Sequence, residues 1–354
     1  MPGRSRRLLT VPLCLLLTVL ITLSAPLWVP AMLFVSLLPP TRGALRMTLF
    51  ITTYLWCESA GILTGFWLWL RFAAPRPPRA DSTGNSAQAR TWQAFLASNS
   101  ALQNWWANSL KRAAGRIFDL QFFVEGEDAL DGSAAIVLPR HTSIGDTVVP
   151  IVWYGIPKGL SFRYVLKKEL QIDPSLDIVG NRLPNYFVDR FSDDPAGEVA
   201  GVARLLAGIR ANEGVVIYPE GTRFTQAKRQ QILVRYRERD DESALARAAR
   251  WPNLLPPRIG GTLALLTSNP GRDLLFMAHT GFEGSARFND LINGAWAHSK
   301  VRLRFWRVPF AQIPTDANAL REFLFRQWDR MSKEVAELQA INNACSVLAG
   351  EERW

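Results

Sequence analysis

A chain of 354 residues can bury a full core, and a formal net charge of +10 directs it towards anionic partners: nucleic acid, an acidic membrane surface or a phosphate-bearing substrate. Hydrophobic residues make up 48% of the chain and 13 Trp stand against 6 Tyr. Much of that apolar excess lies in the first 72 residues, which favours a membrane over nucleic acid.

Residues 8–38 contain no charged residue, and residues 47–70 contain one, Glu58. Each segment reaches the roughly 20 apolar residues that a spanning helix needs. The apolar core of a secretory signal runs about 7–15 residues and ends in a small-residue cleavage site. Here the run is longer, carries Pro12, Pro26 and Pro30, and leads into a second apolar segment, so a retained anchor is expected. Residues 1–72 read as a membrane hairpin that its prolines can kink or break. Arg4, Arg6 and Arg7 before the first apolar segment and Arg71, Arg76 and Arg79 after the second outnumber Arg42 and Arg46 between them. That bias puts both ends, and the body that follows, on the cytoplasmic face.

Residues 73–91, rich in Pro, Ser, Gly and Asn, read as a linker. Residues 92–114 set Trp92, Phe95, Leu96, Leu102, Trp105, Trp106 and Leu110 among polar residues and end near Lys111 and Arg112. An amphipathic helix at the lipid interface fits this pattern, and so does a helix packed on the domain behind it.

From residue 115 to 340, short apolar runs alternate with helical spacing. Strands are expected at 117–124, 134–138, 162–166, 186–188, 214–218, 274–278 and 301–305, and helices at 147–154, 198–211 and 318–338. Residues 226–250 read as a charged, solvated helical insertion, and 341–354 as a C-terminal tail. The class is α/β, a mixed sheet flanked by helices, with an N-terminal apolar helical membrane anchor. Cys14, Cys57 and Cys345 have neither CxxC nor metal spacing, so neither a disulfide framework nor a metal site is expected.

Two stretches carry chemistry. In "VLPRHTSIGD", His141 stands five residues before Asp146 at the end of an apolar run. Ser143 and Asp146 also form a capping-box-like pair, so a helix cap and a catalytic pair are both open. If His141 lies in the turn and Asp146 just inside the helix, the two side chains can meet. A carboxylate on one ring nitrogen makes the other a base. No serine or cysteine nucleophile is framed nearby, so that base would act on a substrate hydroxyl. In "VVIYPEGTRF", Glu220, Gly221, Thr222 and Arg223 follow a β-branched run. Gly221 permits close backbone approach, and Arg223 can grip a phosphate with two N–H groups.

"HTSIGD" followed by "YPEGTR" resembles the glycerophospholipid acyltransferase family, that of the lysophosphatidic acid acyltransferases. "YVLKKEL" and "YFVDR" look like two further blocks of that family, which makes Lys167 and Arg190 additional phosphate-binding candidates beside Glu220, Gly221, Thr222 and Arg223. "LLPPRIGGTLALL" and "PFAQIPTD" are similar to its membrane-bound branch, which includes lysocardiolipin and lysophosphatidylinositol enzymes. Two departures stand out: Tyr218 replaces the usual Phe, and the fourth block is loose near "LLFMAHTGF", where His279 reads as a core or pocket-lining residue.

The resemblance implies an acyltransferase-type domain and an acyl thioester co-substrate, acyl-CoA or acyl carrier protein, with no cofactor and no metal. His141 and Asp146 would be catalytic. The acceptor implied is 1-acyl-sn-glycerol-3-phosphate. Glycerol-3-phosphate, lysophosphatidylinositol, lysocardiolipin or a lyso-aminolipid are alternatives, and so is a non-catalytic lipid-binding protein. The partners implied are these substrates, the lipid bilayer and an acyl carrier protein, not nucleic acid.

Overall fold

The computed structural model describes residues 3–37, 43–78, 86–285, 290 and 294–351. Arg42 and Arg79, part of the expected linker, and the last three tail residues lie outside the described residues, as do the side chains of Arg4 and Cys345.

Seven strands form one mixed sheet: β1 (Gln121–Glu125), β2 (Ile136–Pro139), β3 (Ser161–Lys167), β4 (Tyr186–Val188), β5 (Glu213–Val216), β6 (Leu274–Thr280) and β7 (Lys300–Val308). Their order across the sheet is β1-β7-β6-β2-β5-β3-β4. The five strands from β6 to β4 are parallel, while β7 runs antiparallel to β6 and parallel to β1. Both faces of the central strands are covered, which is why they read as continuous apolar runs rather than alternating ones.

Successive residues of a strand point to opposite faces. Ile136, Leu138, Leu274 and Phe276 enter one core, closed by Val202 of α6 (Pro195–Ala203), Leu265 of α9 (Ile259–Thr267) and Trp328 of α10 (Ala317–Glu351). Val137, Val216, Leu275 and Met277 enter the other, closed by Met47 of α3 (Ala44–Arg71) and by Ala107 and Phe118 of α4 (Ala87–Phe118).

Several boundaries differ from the sequence reading. Residues 117 and 118 belong to α4, not to a strand; Phe118 is buried in the core and the helix ends where Asp119 turns left-handed at φ 55°. The helix expected at 147–154 is a 3-10 turn (Gly145–Val148) followed by a π-helical turn (Pro150–Gly155), since Pro150 offers no amide to continue an α ladder. The helix expected at 198–211 stops at Ala203, then tightens into a 3-10 turn, and Gly208 adopts φ 58°. α10 runs to Glu351 and absorbs most of the expected tail. The last five linker residues are already the start of α4. The charged insertion is α7 (Gln226–Glu238) and α8 (Glu242–Ala249). It is not merely solvated, because Arg229 donates to the carbonyls of Ala248 and Trp251.

The N-terminal segments also depart from a free hairpin. The first is broken at Ser24 into α1 (Gly3–Leu23) and α2 (Ala25–Val35), with Pro26 in the opening turn of α2. Among the described residues α1, over Ser5–Leu23, is the one helix long and apolar enough to cross a membrane. The second segment, α3, is docked on the body. Its buried Glu58 accepts from Trp106 Nε1 at 2.6 Å and from Ser175 N at 3.1 Å. A Cβ on Gly61 would lie 2.3 Å from Ser175 Oγ in α5 (Pro174–Gly180), so glycine lets the two helices approach closely. A carboxylate on an apolar helix needs such partners, and they are protein, not lipid. α4 buries Phe95, Leu102 and Leu110 while Trp105 stays exposed, so the packed-helix alternative describes its inner face. Arg6 and Arg7 both reach the buried Asp177 of α5, at 2.7 and 3.0 Å. This ties the start of α1 to the body.

Candidate active site

The parallel strands bring their carboxyl ends to one edge of the sheet, the edge beyond which open α/β sheets bind ligands. His141 and Asp146 follow β2, Lys167 ends β3, Arg190 follows β4, and Glu220 to Arg223 follow β5.

Past β2, Arg140 N donates to Met277 O and prolongs the ladder by one bond before the chain folds back. Asp146 sits in the 3-10 turn that follows, fully buried. Its Oδ2 accepts from the amides of Thr142 at 2.6 Å and Ser143 at 2.9 Å, and its Oδ1 lies 2.8 Å from His141 Nδ1. The cap and the pair that the sequence left as alternatives are therefore one and the same carboxylate. Burial pushes Asp146 up, but the imidazoles of His141 and His279 outweigh it and hold the carboxyl well below the usual carboxylate range. An ionised carboxylate offers no proton, so Nδ1 is the donor of this pair.

Tyr218 packs its ring 4.6 Å from that of His141 and donates its hydroxyl to the carbonyl of Asp146 at 3.1 Å. The phenol that replaces the usual phenylalanine thus has a partner. Phe224 N donates to His141 O at 2.7 Å, joining the two loops directly. Glu220 has a different place from the one its motif suggested. Its Oε1 accepts from His141 N at 2.7 Å and its Oε2 from Leu255 N at 2.8 Å. Burial pushes its carboxyl up to about 8 against those two amides. Glu220 therefore braces the His141 loop against the loop before α9, with both of its carboxyl oxygens engaged by backbone amides.

Behind the pair lies a second layer. Arg140, fully buried, donates to His279 O at 2.5 Å, to Asn253 O at 2.9 Å and to the Glu283 carboxylate. Although burial raises Glu283, Arg140 outweighs it and holds the carboxyl down at about 2. His279 is also fully buried, with Nε2 3.1 Å from Arg140 O and 3.4 Å from Asp146 Oδ2. It is a core residue, as its strand position suggested, and also a neighbour of the site.

The cations gather beside this pair. Burial, then the charges of Arg190, Arg223 and Lys228, lower Lys167 to about 8. Burial and Arg258 act on Arg190 in the same direction. Among the described residues no hydrogen bond or ion pair engages the side-chain cations of Lys167, Arg190, Arg223 or Arg258. Gly221 adopts φ 65°, and a Cβ there would lie 2.7 Å from Arg258 Cδ, so only glycine fits between turn and arginine. Thr222 Oγ1 accepts from Lys228 Nζ at 3.1 Å, and the same ammonium donates to Arg223 O at 2.8 Å. The structure so brings together every residue of the two motifs.

Sequence reasoning missed Arg140, Glu283, Arg258 and Lys228, and missed the closeness of His279 to Asp146. Arg140 abuts His141 in sequence, and Arg258 lies inside a block already singled out, so both could have been flagged. Nothing in the sequence pairs Arg140 with Glu283. Among the described residues, no three His, Cys, Asp or Glu side chains come together as a metal cage.

Residues 121–250 match the family model described as Acyltransferase. In fold, the chain is similar to PlsC, the 1-acyl-sn-glycerophosphate (LPA) acyltransferase of Thermotoga maritima, with a TM-score of 0.50 and 15% sequence identity, over 83% of this chain and 98% of that one. No curated protein matches the chain in sequence. Residues 121–250 thus match an acyltransferase domain, carried on a fold similar to that of PlsC.

Proposed function

We propose that this protein moves a fatty acyl group from an acyl thioester, carried by CoA or an acyl carrier protein, to the free hydroxyl of a lysophospholipid. The acceptor is 1-acyl-sn-glycerol-3-phosphate and the product phosphatidic acid. His141 Nε2 takes the proton from the hydroxyl as its oxygen attacks the thioester carbonyl, while Asp146 stabilises the imidazolium that forms. The tetrahedral adduct collapses, the C–S bond breaks, and the leaving thiolate takes the proton back from His141. Lys167, Arg190 and Arg223, with Arg258 beside them, hold the acceptor phosphate and so position the hydroxyl.

One observation carries this reading: a histidine held by a buried carboxylate shares a sheet edge with a group of cations that, among the described residues, no hydrogen bond or ion pair engages and that the charge of Glu169 offsets only in part. Such a group repels itself, and a phosphomonoester dianion relieves the repulsion better than a zwitterionic head group does. No cofactor enters the scheme, since the thioester is itself activated. α1 attaches the enzyme to the bilayer, and the body lies on the cytoplasmic face, where both substrates are amphiphiles at the same surface.

The test is thiol release from acyl-CoA by the purified full-length protein, with and without lysophosphatidic acid. Release that depends on this acceptor, and that disappears in His141→Ala, supports the reading. Release only with glycerol-3-phosphate or with a lysophosphodiester reassigns the acceptor. Absence of release with every donor and acceptor leaves a lipid-binding protein.

A further inference from the structure

We infer that Glu58 is a positioning residue for the acceptor site: sharing one proton with Asp173, it holds the turn that begins at Lys167 against α3. A buried carboxyl group is costly, yet Glu58 stands in the middle of an apolar helix and is 1% exposed. Beside it lies Asp173, half-buried at the N-cap of α5, and the two carboxyl groups are in hydrogen-bond contact. Together they take the two amides that open α5. Glu58 Oε2 accepts from Ser175 N at 3.1 Å and Asp173 Oδ1 from Leu176 N at 2.9 Å. Trp106 Nε1 donates to Glu58, and the Tyr54 hydroxyl to Asp173.

Among the described residues no lysine, arginine or histidine bonds to either carboxyl group. Tyr54 and Cys57 of α3 and Cys14 of α1 also face Glu58, and none is a cation. Arg6 and Arg7 are engaged by Asp177, one turn further along α5. Two carboxylates in contact repel unless one keeps its proton, which turns the repulsion into a hydrogen bond. Burial places that proton on Glu58, the more enclosed of the two, and leaves Asp173 to cap α5. The pair anchors one end of the site. Lys167 closes β3, the 3-10 turn Lys168–Ile172 follows, and Asp173 N donates to Leu170 O at 3.1 Å. That stretch carries Lys167 and also Glu169, whose charge partly offsets Lys167 and Arg190. Its ties from Lys168 to Asp189 and from Gln171 to Asn181 are exposed and so hold little, which leaves the buried pair as the anchor. Loss of the shared proton should free the turn.

The test uses the full-length protein in phosphatidylcholine vesicles and two variants. Glu58→Gln keeps a donor towards Asp173 but cannot titrate, and Glu58→Leu removes the pair. In the infrared, the wild type at neutral pH is expected to show a protonated-carboxyl C=O stretch that Glu58→Gln lacks; identical spectra overturn the inference. Amide exchange of residues 168–177, corrected for its intrinsic rate, should quicken roughly tenfold in the wild type at alkaline pH and in Glu58→Leu already at neutral pH. Glu58→Gln should stay slow at both, and β2 and β5 should stay protected throughout. The same alkaline quickening in Glu58→Gln would overturn the shared proton, and slow exchange in Glu58→Leu would overturn the anchor. With lysophosphatidic acid as acceptor, Glu58→Leu should raise the KM about tenfold at nearly constant kcat, and Glu58→Gln should leave it near that of the wild type. An unchanged KM in Glu58→Leu, or a fall in kcat alone, would take Glu58 out of acceptor positioning. This kinetic arm alone rests on the proposed function: a wild type without turnover sinks that function, while spectra and exchange still decide the pair.

Discussion

The end of β2 and the ends of β3 to β5 lie along one edge of the sheet and treat charge in opposite ways. At β2 every charge is answered: His141 and His279 flank Asp146, and Arg140 is paired with Glu283. At β3 to β5, burial and the charges of Arg190, Arg223 and Lys228 drive Lys167 down to about 8. Buried charges without partners are costly, so a fold keeps them only where something else supplies the counter-charge. On the proposed function, the first region is a finished device and the second is half of one, whose other half is the ligand. The proposal makes this difference the division between a chemical step and a binding step, and it can be broken at either end.

The largest effect is expected from His141→Ala, which removes the base and leaves the cations. Thiol release should fall about 10²–10⁴-fold in kcat while the melting temperature holds. A variant that keeps most of its turnover would show that His141 is no base. Next comes Arg223→Ala, which opens the binding half alone. One charge-assisted contact, about 1.5–3 kcal/mol, corresponds to a rise of roughly 10–100-fold in the KM for lysophosphatidic acid, with kcat nearly unchanged. Were kcat to fall instead, Arg223 would belong to the chemical step.

His279→Phe tests whether the finished region depends on its second imidazole. Losing one neutral-strength contact of about 1 kcal/mol to Asp146 should lower kcat about fivefold at constant KM. An unchanged kcat would make His279 a packing residue only.

The smallest effect is a pH dependence of binding. Lys167 loses its proton near 8, below its ordinary value of about 10.5, because burial and its basic neighbours disfavour the charged form. A bound phosphate favours that form, so binding takes up a proton above pH 8 and acceptor affinity weakens as pH rises from 7 to 9. The KM should climb a few-fold over that window, and Lys167→Met should flatten the climb. A step of equal size in the variant would assign the titration to another group.

Much of this was legible beforehand because it is local. Alternation and β-branched runs marked the central strands, and Tyr186–Val188 was read to the residue. His141 and Asp146 are five positions apart, so a single turn decides whether they meet. The anchor was less legible, since an apolar helical face looks the same against lipid or against protein. α3 was read as half of a hairpin, yet Glu58, Gly61 and Gly65 fit it to α4 and α5. Glu220 was read with the phosphate because its motif neighbours were; its two amide partners are 35 and 79 residues away.

By itself, the sequence determined the α/β alternation, the apolar N-terminus, and which residue types stand at the strand ends, because each depends on periodicity or on neighbours within a turn. Only the tertiary structure decided which charges are neutralised and which are left exposed to one another. Strand order sets Arg140 against Glu283 and His279 against Asp146 across more than a hundred residues, and it brings Arg190 and Arg223 near enough to Lys167 to disfavour its charge. Desolvation and pairing act through distance in space, so the acidity of each group, and with it the division between base and anchor, is a property of the folded edge.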